Sequence, residues 1–320
     1  MEIELDQKDK RIVQELEGNA RQSSMQIARK VGLSKDAVNY RIKNMEQRGI
    51  IRGYYALLNL PNLGYCTYKL MASFQNATSK TEEEIVSYLK GRGHVGWVVS
   101  CDGVYNLMVI CWLRNESAFQ RFLTDFLKRY AKYLRTRETL VISENHACRK
   151  AYLFGEEQDG SPDTHYGGEA ASLADETDCR IISILADNAR ISLKEIAGKV
   201  GLSPEAVAYR MKQLEKKNVV QAYLPSVNTR LLGYQYYNVL FRLKQFDNLG
   251  KMFLHFKRHP NIIYFVRYIG GFDVGIDLEV RSTDELRAIL TNIRDTFSAD
   301  IESYTSVLIY QEHKLSYFPK

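Results

Sequence analysis

Apolar residues recur along this chain first at helical spacing and then at strand spacing, and the whole alternation runs twice. Ile12, Val13 and Leu16 form one stripe of a predicted helix over 6–17, with Asp6 placed to cap it. Ser23-x-x-Gln26 has the form of a capping box and opens a second helix over 24–30, with Ile27 turned inward. Gly32 supplies a sharp turn, expected at positive φ. A third helix opens at Ser34, and Val38, Ile42 and Met45 share its core face. GIIRGYYALLN then reads as short strand, the wing of a winged helix. Further on, the spacing predicts a strand over 65–75, a helix over 81–91 and strands over 95–101 and 105–113 joined by a tight Asp-Gly turn. A helix over 116–130, with Phe119, Phe122, Leu123 and Phe126 on its apolar side, and a strand over 139–145 complete the set.

Residues 9–65 fall on 178–234 without a gap, and nearly half of the aligned positions are identical. NAR at 19–21 returns at 188–190, and VGLS at 31–34 returns at 200–203. The second capping box is Ser192-x-x-Glu195, the second turn glycine is Gly201, and Pro204 stands at the first position of the third helix, where a missing N–H costs nothing. One gap near residue 104 keeps the later strands and helices in register. Each copy therefore predicts three helices and a wing followed by βαββαβ. The fold class is α+β, with two winged helix-turn-helix domains alternating with two ferredoxin-like sandwiches. Each sandwich would have one uncovered sheet face, buried if the two stack face to face. The expected domains are 1–60, 61–154, 172–229 and 230–320. An acidic, Gly-rich linker over 155–171 has no apolar period and reads as exposed.

The outer face of the third helix carries the candidate chemistry. It shows Asp36, Tyr40 and Lys43 with Asn39 alongside in the first copy, and Glu205, Tyr209 and Lys212 in the second. In helix-turn-helix units this helix enters the major groove, where Lys reaches guanine or a phosphate and Asn pairs with adenine. Arg41 and Arg210 sit at the edge of the core face, which suggests phosphate anchoring. A mixed charged face is also what a protein-interaction helix shows; the full spacing of caps, turn, apolar triad and wing, present twice, favours DNA.

Charge leans the same way without deciding it: the formal net charge is +6 and the pI about 8.9. Five scattered cysteines with no CxxC pair argue against a disulfide framework or a zinc site and for a reducing compartment. No apolar run is long enough to span a membrane, and the start has no signal pattern, so the chain is expected in the cytoplasm. No phosphate loop, metal cluster or nucleophilic triad stands out, and six histidines are dispersed.

The stretches LDQKDKRIVQELEGNAR and IARKVGLSKDAVNYRIKNMEQRGIIRGY, with the turn Gly271-Phe272-Asp273, resemble the Lrp/AsnC family of leucine-responsive and asparagine-type regulators. The resemblance covers nearly the whole chain, twice. It implies a DNA-binding transcriptional regulator with an effector-binding and dimerisation domain. Lys35, Asn39, Tyr40, Arg41, Lys43, Glu205, Tyr209, Arg210 and Lys212 map to the DNA-recognition helices. A small effector such as an amino acid is expected near Gly103, Tyr105, Asn106, Gly271, Phe272 and Asp273. The first copy departs from the turn motif, reading Gly103-Val104-Tyr105-Asn106. Family members assemble by pairing these domains, so an internal pseudo-dimer that associates into a homo-oligomer is expected. No catalytic residue, cofactor or metal is implied, and on this reading the chain is not an enzyme. Siroheme decarboxylases of heme biosynthesis share the architecture and supply the alternative. Their expected histidines are absent, Cys101 and Asp102 preceding the matching strand, while Arg267 and Tyr268 could contact a carboxylate or serve as ordinary groove-facing residues.

Overall fold

The computed structural model describes residues 3–155, 164–168 and 170–319. The first unit holds α1 (Gln7–Gly18), α2 (Ser24–Val31) and α3 (Lys35–Gln47). Each begins as the sequence reads: Asp6 accepts from the Asp9 amide, Ser23 and Gln26 form a reciprocal box, and Ser34 accepts from Ala37. Gly32 ends α2 at φ 67°, a left-handed turn that a side chain would oppose.

The wing strand β1 (Ile51–Leu58) finds no partner within its own unit. It pairs antiparallel with β7 (Val220–Val227) of the second copy, Tyr55 opposite Leu224. One two-stranded ribbon therefore serves both units. The second unit repeats the first with α6 (Glu176–Asp187), α7 (Leu193–Val200) and α8 (Pro204–Lys216).

The repeated NAR triplets explain how the two units hold together. Arg21 donates to the carbonyls of Ala189 and Ile191, the latter at 3.1 Å, and Arg190 donates to that of Ala20 at 2.9 Å. The Ala20 amide donates to Tyr223 O and the Ala189 amide to Tyr54 O. Each arginine also lies over the tyrosine of the opposite strand. The result is one hydrophobic core, from Ile12 and Met45 to Ile181 and Leu214, that runs through both units without a break.

The remaining strands correct the expected pair of stacked ferredoxin-like sandwiches. In the first copy these are β2 (Cys66–Phe74), β3 (Val95–Asp102), β4 (Leu107–Leu113) and β5 (Leu134–Ala147), with α4 (Ser79–Lys90) and α5 (Glu116–Tyr130) between them. A short β6 (Thr164–Gly167) follows. The second copy adds β8 (Gln235–Leu243), α9 (Leu249–Arg258), β9 (Ile262–Ile269), β10 (Val274–Val280), α10 (Thr283–Thr296) and β11 (Ile301–Leu315). The strand order is β2-β4-β3-β11-β8-β10-β9-β5, and β5 pairs again with β2. Eight strands close into one barrel, with β6 added outside β5. The halves meet edge to edge, at β3–β11 and β5–β9, rather than face to face. The physical reason is that closure removes four open strand edges and buries the uncovered apolar faces in one lumen.

Helices α4 and α5 cover one outer flank, around Phe122 and Phe126, and α9 and α10 the other, around Phe256 and Ile293. The lumen has its own cluster, including Met71, Trp97, Met108, Leu140, Leu240, Tyr268 and Val307. Of the expected linker over 155–171, residues 156–163 and 169 lie outside the described residues. Residues 164–167 are β6, hydrogen-bonded to β5 with His165 opposite His146.

Candidate functional site

Two regions carry chemistry: the outer faces of α3 and α8, and a cavity between the wing ribbon and the barrel lumen. On α3, Lys35, Asn39, Tyr40 and Lys43 are exposed; on α8, Glu205, Tyr209 and Lys212 are. Tyr40 is 70% and Tyr209 65% exposed, so each unit presents a large aromatic ring that the fold itself does not use. Arg41 and Arg210 are placed differently from this face. Arg41 is held by Asp6 at 2.6 Å and Asp9 at 2.8 Å, and Arg210 by Asp175 at 2.7 Å and Asp178 at 2.8 Å. Both arginines tie the third helix of a unit to its first. The hydrogen bonds they donate to these carboxylates hold both guanidinium groups above their ordinary range.

The cavity encloses about 590 Å³. Its walls include Tyr55 from the ribbon, Trp97, Trp112 and Tyr236 from the barrel, and the cations Arg52, Lys69, Lys150 and Arg230. No histidine is among the described residues that line it. Lys69 is only 2% exposed and is the one charged residue of its strand. Its Nζ donates to Asn238 Oδ1 at 2.8 Å and to the Tyr268 hydroxyl at 3.3 Å. Asn238 in turn donates to Asp277 Oδ1, and Tyr236 donates to Asp277 Oδ2 at 2.9 Å. Burial pushes the Lys69 ammonium down to about 8 and pushes the Asp277 carboxyl up. An ammonium and a carboxylate, bridged by an amide and flanked by phenols, can hold a zwitterionic or acidic ligand and can exchange a proton with it.

Four of the five other charged groups among the described lining residues are joined in two ion pairs. Arg52 meets Glu312 at 3.0 Å, Lys150 meets Glu279 at 2.6 Å, and Glu279 also accepts from Thr229 at 2.7 Å. The network of Lys69, Asn238 and Asp277 was missed in the sequence. Its one visible signal was a lysine inside YKLMA, where alternation places it on the same face as Thr67 and Met71.

The two turns expected to meet an effector lie at the seams of the barrel. Tyr105 and Phe272 are buried in the lumen cluster. Asn106 Oδ1 accepts the Phe74 amide at 2.8 Å, and Asp273 Oδ2 accepts the Leu243 amide at 2.7 Å. Gly103 stands beside Ser306 and Val307, and any Cβ on Gly271 would meet the Glu138 carboxylate, which also accepts from the Tyr105 hydroxyl. Among the nine recognition-helix residues and six turn residues, the structure thus brings the two sets to separate regions of the molecule.

A molecule with paired three-helix units on a shared ribbon, set over a closed barrel, is a two-headed winged-helix protein. A winged helix-turn-helix DNA-binding family matches residues 5–52 and 175–221. The HTH-type transcriptional regulator Ptr1 of Methanocaldococcus jannaschii is 30% identical over 138 residues, covering 43% of this chain and 92% of that protein. The leucine-responsive regulatory protein of Rhizobium meliloti is 29% identical over 153 residues, 46% of this chain and 96% of its own. The chain belongs to the winged helix-turn-helix regulators, and its two helix-turn-helix units support a capacity to bind DNA.

Over its whole length the fold matches a solved enzyme. The siroheme decarboxylase NirDL covers 98% of this chain and 94% of its own, with TM-score 0.65 and 13% identity. The same enzyme with an iron-uroporphyrin III analogue gives 0.66. This stands against the expectation that the chain is not an enzyme: the tandem arrangement, which departs from the single-copy regulators, is found over the whole length of a solved enzyme.

Proposed function

We propose that this chain is a DNA-binding regulator of the Lrp/AsnC type whose barrel cavity takes a small acidic or zwitterionic effector. The observation that carries it is the pair of recognition-helix faces, each with an exposed tyrosine and a neighbouring lysine, locked in one relative orientation by Arg21 and Arg190. Two fixed reading heads suit a duplex site with two half-sites. The relatives at about 30% identity, named as transcriptional regulators, support the same reading. Within it, the Lys69 and Asp277 groups orient the effector, and the turns at 103–106 and 271–273 close the lumen around it. Association of two chains would present four reading heads.

The test is footprinting on selected duplex DNA. Tyr40→Ala with Lys43→Ala, and separately Tyr209→Ala with Lys212→Ala, should each weaken binding by roughly 100-fold, with each lost phosphate contact flattening the salt slope by about 0.9. Unchanged protection in both variants overturns the proposal.

A second reading is favoured by the whole-length likeness to an enzyme solved with an iron-uroporphyrin III analogue. Four cations line the cavity, and a ligand with several carboxylates would meet Lys69 and Arg230 and compete with Glu312 and Glu279 for Arg52 and Lys150. On this reading the same site binds a tetrapyrrole acid and decarboxylates it. Titration with iron uroporphyrin III, followed by absorbance, and mass analysis of siroheme after anaerobic incubation decide between the two. Tight binding with carboxyl loss makes the chain an enzyme; no spectral change leaves the regulator reading.

A further inference from the structure

Glu144 and His146 are two apart on β5 and so share one face, and His165 on β6 is the cross-strand partner of His146. Three side chains from two strands converge there. His146 Nε2 lies 2.9 Å and His165 Nε2 3.2 Å from the same oxygen, Glu144 Oε1. The two imidazole centroids are 4.5 Å apart. All three potential ligand atoms lie within 4.8 Å of one another. Tetrahedral zinc with nitrogen and carboxylate ligands at about 2.0–2.1 Å requires ligand atoms roughly 3.3 Å apart. The preformed spacing therefore needs little adjustment.

The surroundings support a ligand role. Arg267 holds the other carboxylate oxygen, Oε2, at 3.0 Å. That leaves Oε1 free of the guanidinium and fixes the carboxylate's rotation, as outer partners do for metal ligands. Phe253 and Phe265 back the His146 ring, with centroids 4.4 and 6.0 Å away, and restrict its movement. Opposite Glu144 stands Gly167, where a Cβ would come within 3.2 Å of His165 Nε2. A side chain there would crowd the space a metal needs.

We propose that Glu144, His146 and His165 bind a divalent zinc ion, which staples the segment between the two repeats to the barrel wall. Two imidazoles and one carboxylate are a borderline donor set that suits zinc over the oxygen-seeking magnesium and calcium. Three protein ligands leave one position for water. His165 also accepts a hydrogen bond from Gln221 at its backbone carbonyl, so the staple reaches the wing ribbon through β6. Among the described residues the site exists once. The equivalents of Glu144 and His146 in the second copy are Gln311 and His313, and His313 is engaged with Ser100 at 2.8 Å.

The test uses the full chain, stripped with a chelator and titrated with zinc by calorimetry, and with cobalt by absorbance. The expected result is one equivalent bound, with the intense visible bands of tetrahedral cobalt. His165→Gln and Glu144→Gln should each weaken zinc binding by about 100-fold, while His313→Ala leaves it unchanged. Circular dichroism checks that each variant is folded; His165 is partly exposed, so its replacement leaves the core intact. Absence of stoichiometric binding, or equal affinity in the folded His165→Gln variant, overturns the proposal.

Discussion

The two helix-turn-helix units and the two barrel halves arose from the same duplication, yet they diverged in opposite ways. Between the units, contacts are reciprocal: Arg21 and Arg190, Tyr54 and Tyr223, and the paired aspartates on Arg41 and Arg210 do the same work twice. In the lumen the equivalence is broken. Lys69 and Asn238 are mates by position, each opposite a residue of the next strand, Ile110 in one half and Asp277 in the other. A symmetric pair of identical chains would face lysine with lysine, or acid with acid, near its axis. One chain with two different halves can place an ammonium against an amide and a carboxylate. Symmetry is retained in the helix-turn-helix units and lost in the lumen, which is the pattern the proposed function requires: a symmetric duplex on one side and a single small molecule on the other.

The sharpest way to break that comparison is to titrate the asymmetric lysine. Burial lowers Lys69 from 10.5 to about 8. Between those values the unfolded chain holds a proton that the folded chain has released. Stability therefore rises with pH across that window. Relative to Lys69→Met, the natural chain should gain about 3 kcal/mol from pH 8 to pH 10.5. Urea denaturation of both proteins at several pH values measures it, and parallel curves would show an unburied lysine. Affinity for an acidic effector should fall over the same rise through pH 8, because the ammonium is lost.

Asn238 is the next most sensitive position. It accepts from Lys69 and donates to Asp277, and it is 1% exposed. Asn238→Leu takes one partner from each buried charged group, leaving Lys69 with Tyr268 and Asp277 with Tyr236, and should cost about 2 kcal/mol. Adding Lys69→Met and Asp277→Leu removes the charged groups and should recover most of that loss, while abolishing effector binding. Recovery without loss of binding would place the ligand elsewhere.

What could be read from the sequence follows the range of the interactions. The caps of α1, α2, α3 and α8, the left-handed Gly32 and Gly201, and the core triads are local, within four residues, and were legible. Barrel closure depends on which edges meet across more than 100 residues of chain, from Ala147 opposite Tyr264 at one seam to Trp97 opposite Leu315 at the other, and no local pattern distinguishes an edge-joined from a face-joined pair. The β1–β7 ribbon is hidden for the same reason. Arg41 and Arg210 look like free cations because their aspartates lie about 32 residues away. The histidine and glutamate cluster is invisible to spacing rules, since His165 joins it only through the β5–β6 pairing.

The smallest predicted effect concerns the turn where the copies differ by charge. Asn106 and Asp273 occupy equivalent places, and each side-chain oxygen accepts the amide of the strand alongside, from Phe74 at 2.8 Å and Leu243 at 2.7 Å. An amide oxygen and a carboxylate can both do this, the carboxylate about twice as strongly. Asp273→Asn should therefore cost only about 1 kcal/mol, and Asn106→Asp should leave stability near its starting value, both measured by urea denaturation. If these turns serve only to register the strands, effector affinity is untouched by either exchange. A tenfold or larger loss of effector affinity in Asp273→Asn, with the fold intact, would instead show that the carboxylate touches the ligand, and the asymmetry of the lumen would then extend to its far end.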